Sequence, residues 1–317
     1  MTAISVCMPT YRRPGQLTEA LERITSLEAP PGGYEVVVVD DGTPPDAGVV
    51  GILEKAAAGS PVPVRWHSFP ENRGAAAARN EAWRRAEGDW IAFTDDDCVP
   101  RPDWLVQLLA AGREADVVQG RTVPDPARVQ LMSHPLARSI RVEQFDGRYQ
   151  TCNIAYRRSL LEQLGGFDEG YRLACDDTDL GLRAEESGAV AVFAPDAVVE
   201  HEVVVHGWRS EIRSRRRWAD VVRIARIRPD GRRLGWNNYI FRQAHVPILV
   251  IAGASPLLAW RLTRWLWLGG VAAAIGSDVV KAGAPDAAVA KLVERAADAY
   301  EVSVVVKRAV RERTLAL

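Results

Sequence analysis

Short apolar runs alternate with segments of helical spacing along the first half of the chain. The apolar runs cover residues 4–8, 34–39, 63–67 and 90–93 and predict buried strands. Two segments predict helices: residues 16–26, with helical apolar spacing, and the alanine-rich residues 72–87, which we expect to stop at Gly88. This alternation predicts an α/β fold with a mostly parallel central sheet and helices on both faces.

The pattern is less regular beyond residue 100. Residues 116–124 predict a further strand, and residues 158–164 a helix. Two strands are predicted over residues 189–193 and 198–201, the second ending at His201. Residues 124–149 are weakly patterned and favour a loop over the site. Residues 287–313 predict one or two closing helices.

Carboxylates gather where two of the predicted strands end. Asp95, Asp96 and Asp97 follow residues 90–93, and Asp40 follows residues 34–39. Ligands of open α/β sheets bind beyond the carboxyl ends of the strands, so these side chains should face one crevice. Because neighbouring negative charges repel, a divalent cation would stabilise them, and oxygen ligands suit Mg²⁺ or Mn²⁺. The alternative interpretation is a solvated acidic turn.

A second acidic cluster, residues 176–179, precedes a predicted helix. Asp176 or Asp177 would be a suitable N-cap residue, because a helix N-terminus favours negative charge. Asp179 and Arg183 are spaced to form an i, i+4 ion pair. A structural role is one interpretation of this cluster, and a catalytic role is the other.

The composition excludes several classes of protein. The chain has 317 residues and a net charge of −1, which argues against nucleic-acid binding. Its four cysteines form no C-x-x-C pair, so neither a zinc module nor a disulfide framework is expected, and a reduced, cytoplasmic compartment is predicted. No basic segment followed by an apolar one opens the chain, which predicts no signal peptide. The glycine-rich motifs of dinucleotide-binding and P-loop proteins are missing.

The last third of the chain combines a basic segment, residues 206–233, with an apolar one. Residues 246–275 are apolar, but Arg261 and Arg264 divide them into pieces shorter than the ~20 residues that span a bilayer. They predict a hairpin at the inner face of a membrane, a homodimer interface, or packing against the α/β domain. We expect that α/β domain over residues 1–235 and a helical C-terminal extension over residues 236–317.

The order of short motifs along the chain is more specific than any one of them. The motifs are Pro9-Thr10-Tyr11, Asp40-Asp41-Gly42, Asn72-Arg73-Gly74, Ala78-Arg79-Asn80, Asp95-Asp96-Asp97, Asn153-Ile154, residues 165–169 and Asp176-Asp177-Thr178-Asp179-Leu180. Over residues 3–205 this set resembles the family-two glycosyltransferases, which use nucleotide-sugar donors on a GT-A, or Rossmann-like, fold. The resemblance implies a hexosyltransferase that depends on Mn²⁺ or Mg²⁺.

The resemblance also implies a role for each matching residue. Asp97 would bind the metal directly, Asp95 would contact the donor ribose or the metal through water, and His201 would help to hold the metal or the diphosphate. Asp177 would be the catalytic base, but Asp176 stands where the family has glutamate, which leaves open which carboxylate acts. The residues implied in donor binding are Pro9, Thr10, Tyr11, Arg13, Asp40, Arg79, Asp95, Asp96 and Arg217.

Arg217 lies in a second motif of the basic segment. Residues 214–218 are similar to the Q-x-x-R-W motif of polymer-forming members, with Ser214 in place of the glutamine. By this similarity Arg217 would meet the diphosphate or an anionic acceptor. A solvated basic helix is the alternative interpretation.

The chemistry of sugar transfer needs both acidic clusters. Breaking a sugar–phosphate bond leaves a diphosphate with extra negative charge, which a divalent ion stabilises, and the acceptor hydroxyl needs a general base. We therefore expect an inverting glycosyltransferase that uses a nucleotide sugar, with UDP the commonest donor base in the family, and a lipid-linked or small-molecule acceptor. The alternatives are a retaining transferase on the same fold, a sugar nucleotidyltransferase and a non-catalytic carbohydrate-binding protein.

Overall fold

A computed structural model describes residues 2–228 and 285–312. The strands are β1 Ile4–Thr10, β2 Tyr34–Asp40, β3 Val64–Ser68, β4 Trp90–Phe93, β5 Cys98–Pro100, β6 Val117–Pro124, β7 Ala137–Arg138, β8 Ile154–Arg157, β9 Ala191–His201 and β10 Val204–Val205. The α-helices are α1 Pro14–Ile24, α2 Val49–Gly59, α3 Ala75–Arg85, α4 Trp104–Ala111, α5 Arg158–Leu164, α6 Asp176–Glu186, α7 Trp208–Ser214, α8 Ala219–Ile227 and α9 Pro285–Glu312. Shorter 3₁₀ turns cover Pro45–Ala47, Gly112–Glu114, Val129–Ser133 and Arg215–Trp218.

The described chain divides into two compact units. The first contains residues 2–129 and 139–202, and the second contains residues 130–138, 203–228 and 285–312. The domain boundary expected at residue 235 and the apolar segment 246–275 lie outside the described residues.

Eight of the described strands form the central sheet of the first unit, in the order β3-β2-β1-β4-β8-β6-β9-β5. β1 is parallel to β2 and β4, β2 is parallel to β3, and β6 is parallel to β9. β8 lies antiparallel between β4 and β6, and β5 is antiparallel to β9. The expected mostly parallel sheet is confirmed, with an antiparallel strand in its middle.

Both faces of the sheet are covered by helices, as expected. Along β2, Val36 and Val38 enter one apolar core while Val37 and Val39 enter the other, and all four are fully buried. α1, α2 and α4 contribute to the first core, and α3, α5 and α6 to the second. A strand that is covered on both faces is apolar at nearly every position, as residues 36–39 are here, which is why this run could be recognised from the sequence.

The structure corrects the predicted end of the alanine-rich helix. α3 ends at Arg85, and Ala86 is already extended, so Gly88 is not its stop. Gly88 instead lies against β1, where an added Cβ would be 2.6 Å from the backbone nitrogen of Ser5. Its N–H donates a 2.8 Å hydrogen bond to the Ser5 hydroxyl. The glycine is needed for close packing on the sheet.

The two strands predicted over residues 189–201 are one strand, β9. Its pairing with β6 changes register between Gly120 and Arg121, where the partners on β9 move from Ala194 to Val198. The three residues between those partners include Pro195 and Asp196, which resemble a turn in the sequence. α2 and α4, which complete the first core, were not among the predicted helices.

In the second unit, an ion cluster surrounds Arg215. Its guanidinium lies 2.8 Å from Glu211, 2.8 Å from Glu301 and 3.5 Å from Asp298, and these side chains are nearly inaccessible to solvent. Glu211 lies on α7, while Glu301 and Asp298 lie on α9, which is a single helix where one or two were expected. None of the helices in the described part of the chain combines the length and apolar character that a membrane span needs.

Candidate active site

The carboxyl ends of β1, β2 and β4 lie side by side in the first unit. The register pairs Thr10 with Asp40 across β1 and β2, and pairs β1 with β4 up to Phe93, two residues before Asp95. The acidic residues predicted to face one crevice therefore leave the sheet at the same edge.

The two aspartates at the carboxyl end of β2, Asp40 and Asp41, are buried and hydrogen-bonded to nearby loops. Asp40 accepts hydrogen bonds from the Ser68 hydroxyl at 2.5 Å and from the Thr43 N–H at 3.2 Å. Asp41 accepts the Arg73 N–H at 2.7 Å, and burial raises its pKa. Asp41 thus fixes the turn into α3, a role that the sequence did not suggest. The contact of Asp40 with a donor base stays a prediction.

Arg13 joins two of the three consecutive aspartates. Its Nη1 donates to Asp96 at 3.0 Å and to Asp97 Oδ2 at 2.8 Å. Asp96 also accepts the Thr10 hydroxyl at 2.8 Å and is buried. Burial raises the pKa of Asp96 to about 6, although Arg13 and Thr10 oppose the shift. Asp96 is therefore an anchor for the loop, whereas Asp97 keeps its Oδ1 atom available.

That Oδ1 atom of Asp97 faces a histidine and a thiol. It lies 3.7 Å from His201 Nε2 and 3.6 Å from Cys98 Sγ, and the three potential ligand atoms all lie within 4.8 Å of one another. His201 Nδ1 is 2.9 Å from the Glu202 carbonyl oxygen. Because a carbonyl can only accept, we assign a ring proton to Nδ1, so in the neutral imidazole the lone pair is on Nε2. These atoms can hold a divalent cation.

Arg79 connects this region to the second acidic cluster. From α3, its Nη1 donates to Asp176 Oδ2 at 2.9 Å and its Nη2 donates to Asp95 Oδ1 at 2.8 Å. The Arg79 side chain is only 9% exposed. One buried guanidinium thus brings carboxylates from distant parts of the chain to the same place.

The structure corrects the expected start of the helix that carries this cluster. α6 begins at Asp176, and its N-cap is Cys175, which has a left-handed φ of 69°. Neither aspartate is the N-cap, because Asp176 is already helical and directs its carboxylate to Arg79. Both still lie in the first turn, where negative charge is favoured. The expected ion pair of Asp179 and Arg183 is confirmed at 2.8 Å.

Asp177 differs from Asp176 in its surroundings. It is half-buried, and burial together with the charge of Asp176 raises its pKa to about 7. Its Oδ1 accepts the Thr178 N–H at 2.7 Å. Its Oδ2 accepts no hydrogen bond from the residues that the structure describes. Asp177 can therefore exchange a proton near neutral pH.

Comparison with known proteins identifies the family. The sequence model described as "Glycosyl transferase family 2" matches residues 5–165, half of the chain. The chain belongs to glycosyl transferase family 2. A second match, to "Glycosyl transferase family group 2", covers residues 90–276. The family implied by the resemblance is confirmed.

Individual relatives agree with this family. The pre-mycofactocin glycosyltransferase of Mycobacterium tuberculosis (strain ATCC 25618 / H37Rv) is 31% identical over an alignment of 194 residues that covers 56% of this chain and 39% of the relative. This chain thus spans about two fifths of that relative's length.

Solved structures show the same fold. Mannosyltransferase PcManGT from Pyrobaculum calidifontis, in complex with GDP-Man and Mn²⁺, matches with a TM-score of 0.63 and 22% identity, over 98% of this chain and 87% of that chain. TarS 1-349 of S. aureus, in complex with UDP-GlcNAc, matches with a TM-score of 0.56 and 16% identity, over 99% of this chain and 93% of that chain. The expected GT-A fold is confirmed.

Direct contacts join many of the residues singled out in the sequence. The joined residues are Thr10, Arg13, Arg79, Asp95, Asp96, Asp97, Asp176 and His201. Pro9 lies in β1, and the Arg12 guanidinium lies over the Tyr11 ring at 5.0 Å. Arg217 belongs to the second unit, is exposed and lies over the Trp218 ring at 5.3 Å, so its contact with a diphosphate or acceptor stays a prediction.

Cys98 is not among the site residues expected from the sequence. It follows Asp97 directly, but only the pairing of β5 with β9 reveals that it lies opposite His201. No local pattern predicts which distant strand will pair with so short a segment. A hydrogen bond with the Cys152 thiol and burial raise the pKa of Cys98 well above its usual value.

Proposed function

We propose that the protein is a divalent-metal-dependent inverting glycosyltransferase. It moves a sugar from a nucleoside-diphosphate donor to the hydroxyl group of an acceptor. In this proposal Asp97 and His201 hold the cation, and Asp177 is the general base.

The double contact of Arg79 is the observation that carries the proposal. Transfer requires the leaving diphosphate and the attacking hydroxyl to meet at one anomeric carbon, held in a reactive geometry. Asp95 and Asp176 accept hydrogen bonds from the same guanidinium group, at 2.8 Å and 2.9 Å. The two acidic clusters are therefore close enough to act on one small substrate.

The residues beside Asp97 fit a bound cation. Carboxylate oxygen is a suitable ligand for Mn²⁺, and His201 Nε2, 3.7 Å from Asp97 Oδ1, can add a nitrogen ligand when the imidazole is neutral. A bound cation would neutralise the negative charge that develops on the departing diphosphate. The Pyrobaculum neighbour, described as a complex with GDP-Man and Mn²⁺, supports this choice of metal.

The surroundings of Asp177 support its role as the base. A general base works best when its pKa is near the ambient pH, and burial beside Asp176 raises the pKa of Asp177 to about 7. The carboxylate of Asp176 is instead held by Arg79. In our proposal Asp177 removes the proton of the acceptor hydroxyl, which attacks the face opposite the diphosphate and inverts the anomeric centre.

The donor is best described by its shared chemistry, a sugar joined to a nucleoside diphosphate. The two structural neighbours carry GDP-Man and UDP-GlcNAc, which differ in base and sugar but share the ribose, the diphosphate and a hexose-type sugar. On the donor side we place Thr10, Tyr11 and Arg13, together with Asp40. Arg13 is half-exposed beside Asp97, so it can reach an anionic group in the crevice.

A thermal-shift screen tests the donor and the metal together. A nucleotide sugar at about 100 times its Kd stabilises the folded state by ~2.7 kcal/mol, which raises Tm by roughly 5–10 °C for a domain of this size. We expect this shift for one or more nucleoside-diphosphate sugars only when Mn²⁺ is present. The matching nucleoside, which lacks the diphosphate, is the control and should give no manganese-dependent shift.

The stereochemistry of the product tests the remaining part of the proposal. NMR of the transferred sugar should show the anomeric configuration opposite to that of the donor. A retained configuration would contradict the role of Asp177 as base. If no nucleoside-diphosphate sugar shifts Tm with either Mn²⁺ or Mg²⁺, the proposed function itself is wrong.

A further inference from the structure

Cys98 lies among the proposed manganese ligands but has no part in the proposed reaction. We propose that Asp97, Cys98 and His201 together bind a thiophilic divalent ion such as Zn²⁺, with Cys98 as a thiolate ligand. Binding of this ion is independent of sugar transfer. Only the expectation that it competes with Mn²⁺ rests on the proposed function.

Strand pairing brings the thiol and the imidazole together. β5 and β9 are antiparallel, and Cys98 is directly opposite His201. Directly opposed side chains share a face of the sheet, with Cβ atoms about 4.5–5.5 Å apart. Asp97 precedes Cys98 and turns its Oδ1 atom toward both ligand atoms. Two strands and one adjacent residue thus supply three different ligands.

The distances are close to those of a zinc site. Asp97 Oδ1 lies 3.6 Å from Cys98 Sγ and 3.7 Å from His201 Nε2. With Zn–S near 2.3 Å and Zn–N and Zn–O about 2.0–2.2 Å, tetrahedral ligand atoms are roughly 3.4–3.6 Å apart. The distance from sulfur to nitrogen, which is at most 4.8 Å, is the one that has to shorten.

His201 already has the support that a metal-binding histidine needs. Such histidines usually donate their other ring N–H to a carboxylate or a backbone carbonyl, which fixes the ring and its tautomer. His201 Nδ1 has this partner in the Glu202 carbonyl at 2.9 Å. The Ser139 hydroxyl donates to the His201 carbonyl at 3.1 Å and holds the backbone at the same point.

A cavity in which carboxylates outnumber arginines borders two of the three proposed ligands. Asp97 and Cys98 line a cavity of about 440 Å³. Its other acidic lining residues are Glu19, Asp96, Asp125, Glu200 and Glu202. Arg13 contacts Asp97 through Oδ2 and leaves Oδ1 for the ion. Three protein ligands leave the fourth tetrahedral position to water.

The Cys98 thiol would be a ligand for one class of divalent ion but not for the other. Zn²⁺ and Co²⁺ bind thiolate and imidazole readily, whereas Mn²⁺ and Mg²⁺ favour oxygen ligands. When the bond from zinc to Cys98 Sγ forms, the S–H bond breaks and its proton passes to water. Mn²⁺ would use Asp97 and His201, and Zn²⁺ would add Cys98, so the two ions cannot be bound together.

Cobalt is a spectroscopic probe of the proposed thiolate ligand. Titrating the 317-residue chain with Co²⁺ should produce a thiolate-to-cobalt charge-transfer band in the near ultraviolet, saturating at one equivalent. Cys98→Ser should abolish the band, whereas Cys175→Ser, which removes the more accessible thiol, should retain it. Cys98→Ser should also weaken Zn²⁺ binding by at least ~10–100-fold, measured against a chelator, without changing Mn²⁺ affinity.

Each outcome of this titration bears on the proposal. If the unmodified protein gives no band, the proposal is overturned, whether or not Cys98→Ser folds. A band that survives Cys98→Ser, or that disappears in Cys175→Ser, overturns it as well. If the band is present but excess Mn²⁺ does not displace the cobalt, competition with the proposed manganese site is refuted. The band does not depend on transfer, so failure of the proposed function is seen separately.

Discussion

Replacing Arg79 by glutamine removes the cation that contacts both Asp95 and Asp176. Hydrogen bonds to charged groups contribute about 1.5–3 kcal/mol each, and removing one partner of a buried ion pair costs about 3–5 kcal/mol. The side chains of Arg79 and Asp176 are 9% and 11% exposed, so water cannot replace the lost contact well. We expect Arg79→Gln to lower the free energy of unfolding by about 3–5 kcal/mol.

Arg84→Gln is the matched control, because Arg84 lies on the same helix and receives the same substitution. Its side chain is 49% exposed and lies 3.9 Å from Glu169, so its ion pair should contribute only about 0–1 kcal/mol. Urea denaturation of both variants measures how much each substitution lowers the free energy of unfolding, provided that the m-value is unchanged.

A double-mutant cycle with Asp176→Asn isolates the contact between the two side chains. Residues in direct contact show coupling energies of about 0.5–3 kcal/mol. We expect a value in the upper half of that range, since Arg79 and Asp176 are 2.9 Å apart and buried. If Arg79→Gln is no more destabilising than Arg84→Gln, or if the cycle shows no coupling energy, Arg79 does not hold the two acidic clusters together, and the proposed function loses its main support.

Four further substitutions test the site and its support. Asp177→Asn should lower kcat about 10²–10⁴-fold, while calorimetry should show an unchanged affinity for the donor. If the variant instead loses donor binding, Asp177 is a donor-binding residue and not the base. In the unmodified enzyme kcat/KM should rise with pH through an apparent pKa near 7 as Asp177 loses its proton. Asp176→Asn should move that rise to lower pH, because the charge of Asp176 raises this pKa, and an unmoved profile would contradict the assignment. Asp97→Ala should abolish both sugar transfer and Mn²⁺ binding. Electron paramagnetic resonance of the free Mn²⁺ ion measures the binding, and a variant that still binds Mn²⁺ would exclude Asp97 as a ligand. Asn153→Ala should lower the free energy of unfolding by about 3 kcal/mol, because the buried Trp104 indole loses its acceptor; a loss below about 1 kcal/mol in urea would show that water replaces it.

The sequence predicts the sheet well because burial on both faces leaves a local pattern. β2 is apolar from Val36 to Val39, and its boundaries could be placed within one residue. The prediction that the alanine-rich helix stops at Gly88 was wrong, because this glycine is needed for close packing against Ser5. No local rule distinguishes a glycine needed for packing from one that ends a helix. β9 was divided for a similar reason, since Pro195 and Asp196 interrupt its pattern without ending it.

In the site, too, the sequence predicts residues that belong to local motifs but not the contacts between distant parts of the chain. The order of motifs points to Asp97, Asp177 and His201 as a set, because each occupies a recognisable place in the family. It gives no account of what holds them together. The pairing of Cys98 with His201 depends on where a three-residue strand joins the sheet, and the contact of Arg79 with Asp176 depends on how two helices approach.

Burial distinguishes the two arginines that the sequence placed together in donor binding. Arg13 is 49% exposed, so its contacts with Asp96 and Asp97 should contribute only about 0–1 kcal/mol and can be exchanged for a phosphate at little cost. Arg79 is buried between two carboxylates, and releasing either would leave a charge without a partner in a poorly solvated place. We therefore expect Arg13 to move to the diphosphate when a donor binds, while Arg79 stays between Asp95 and Asp176 throughout the reaction.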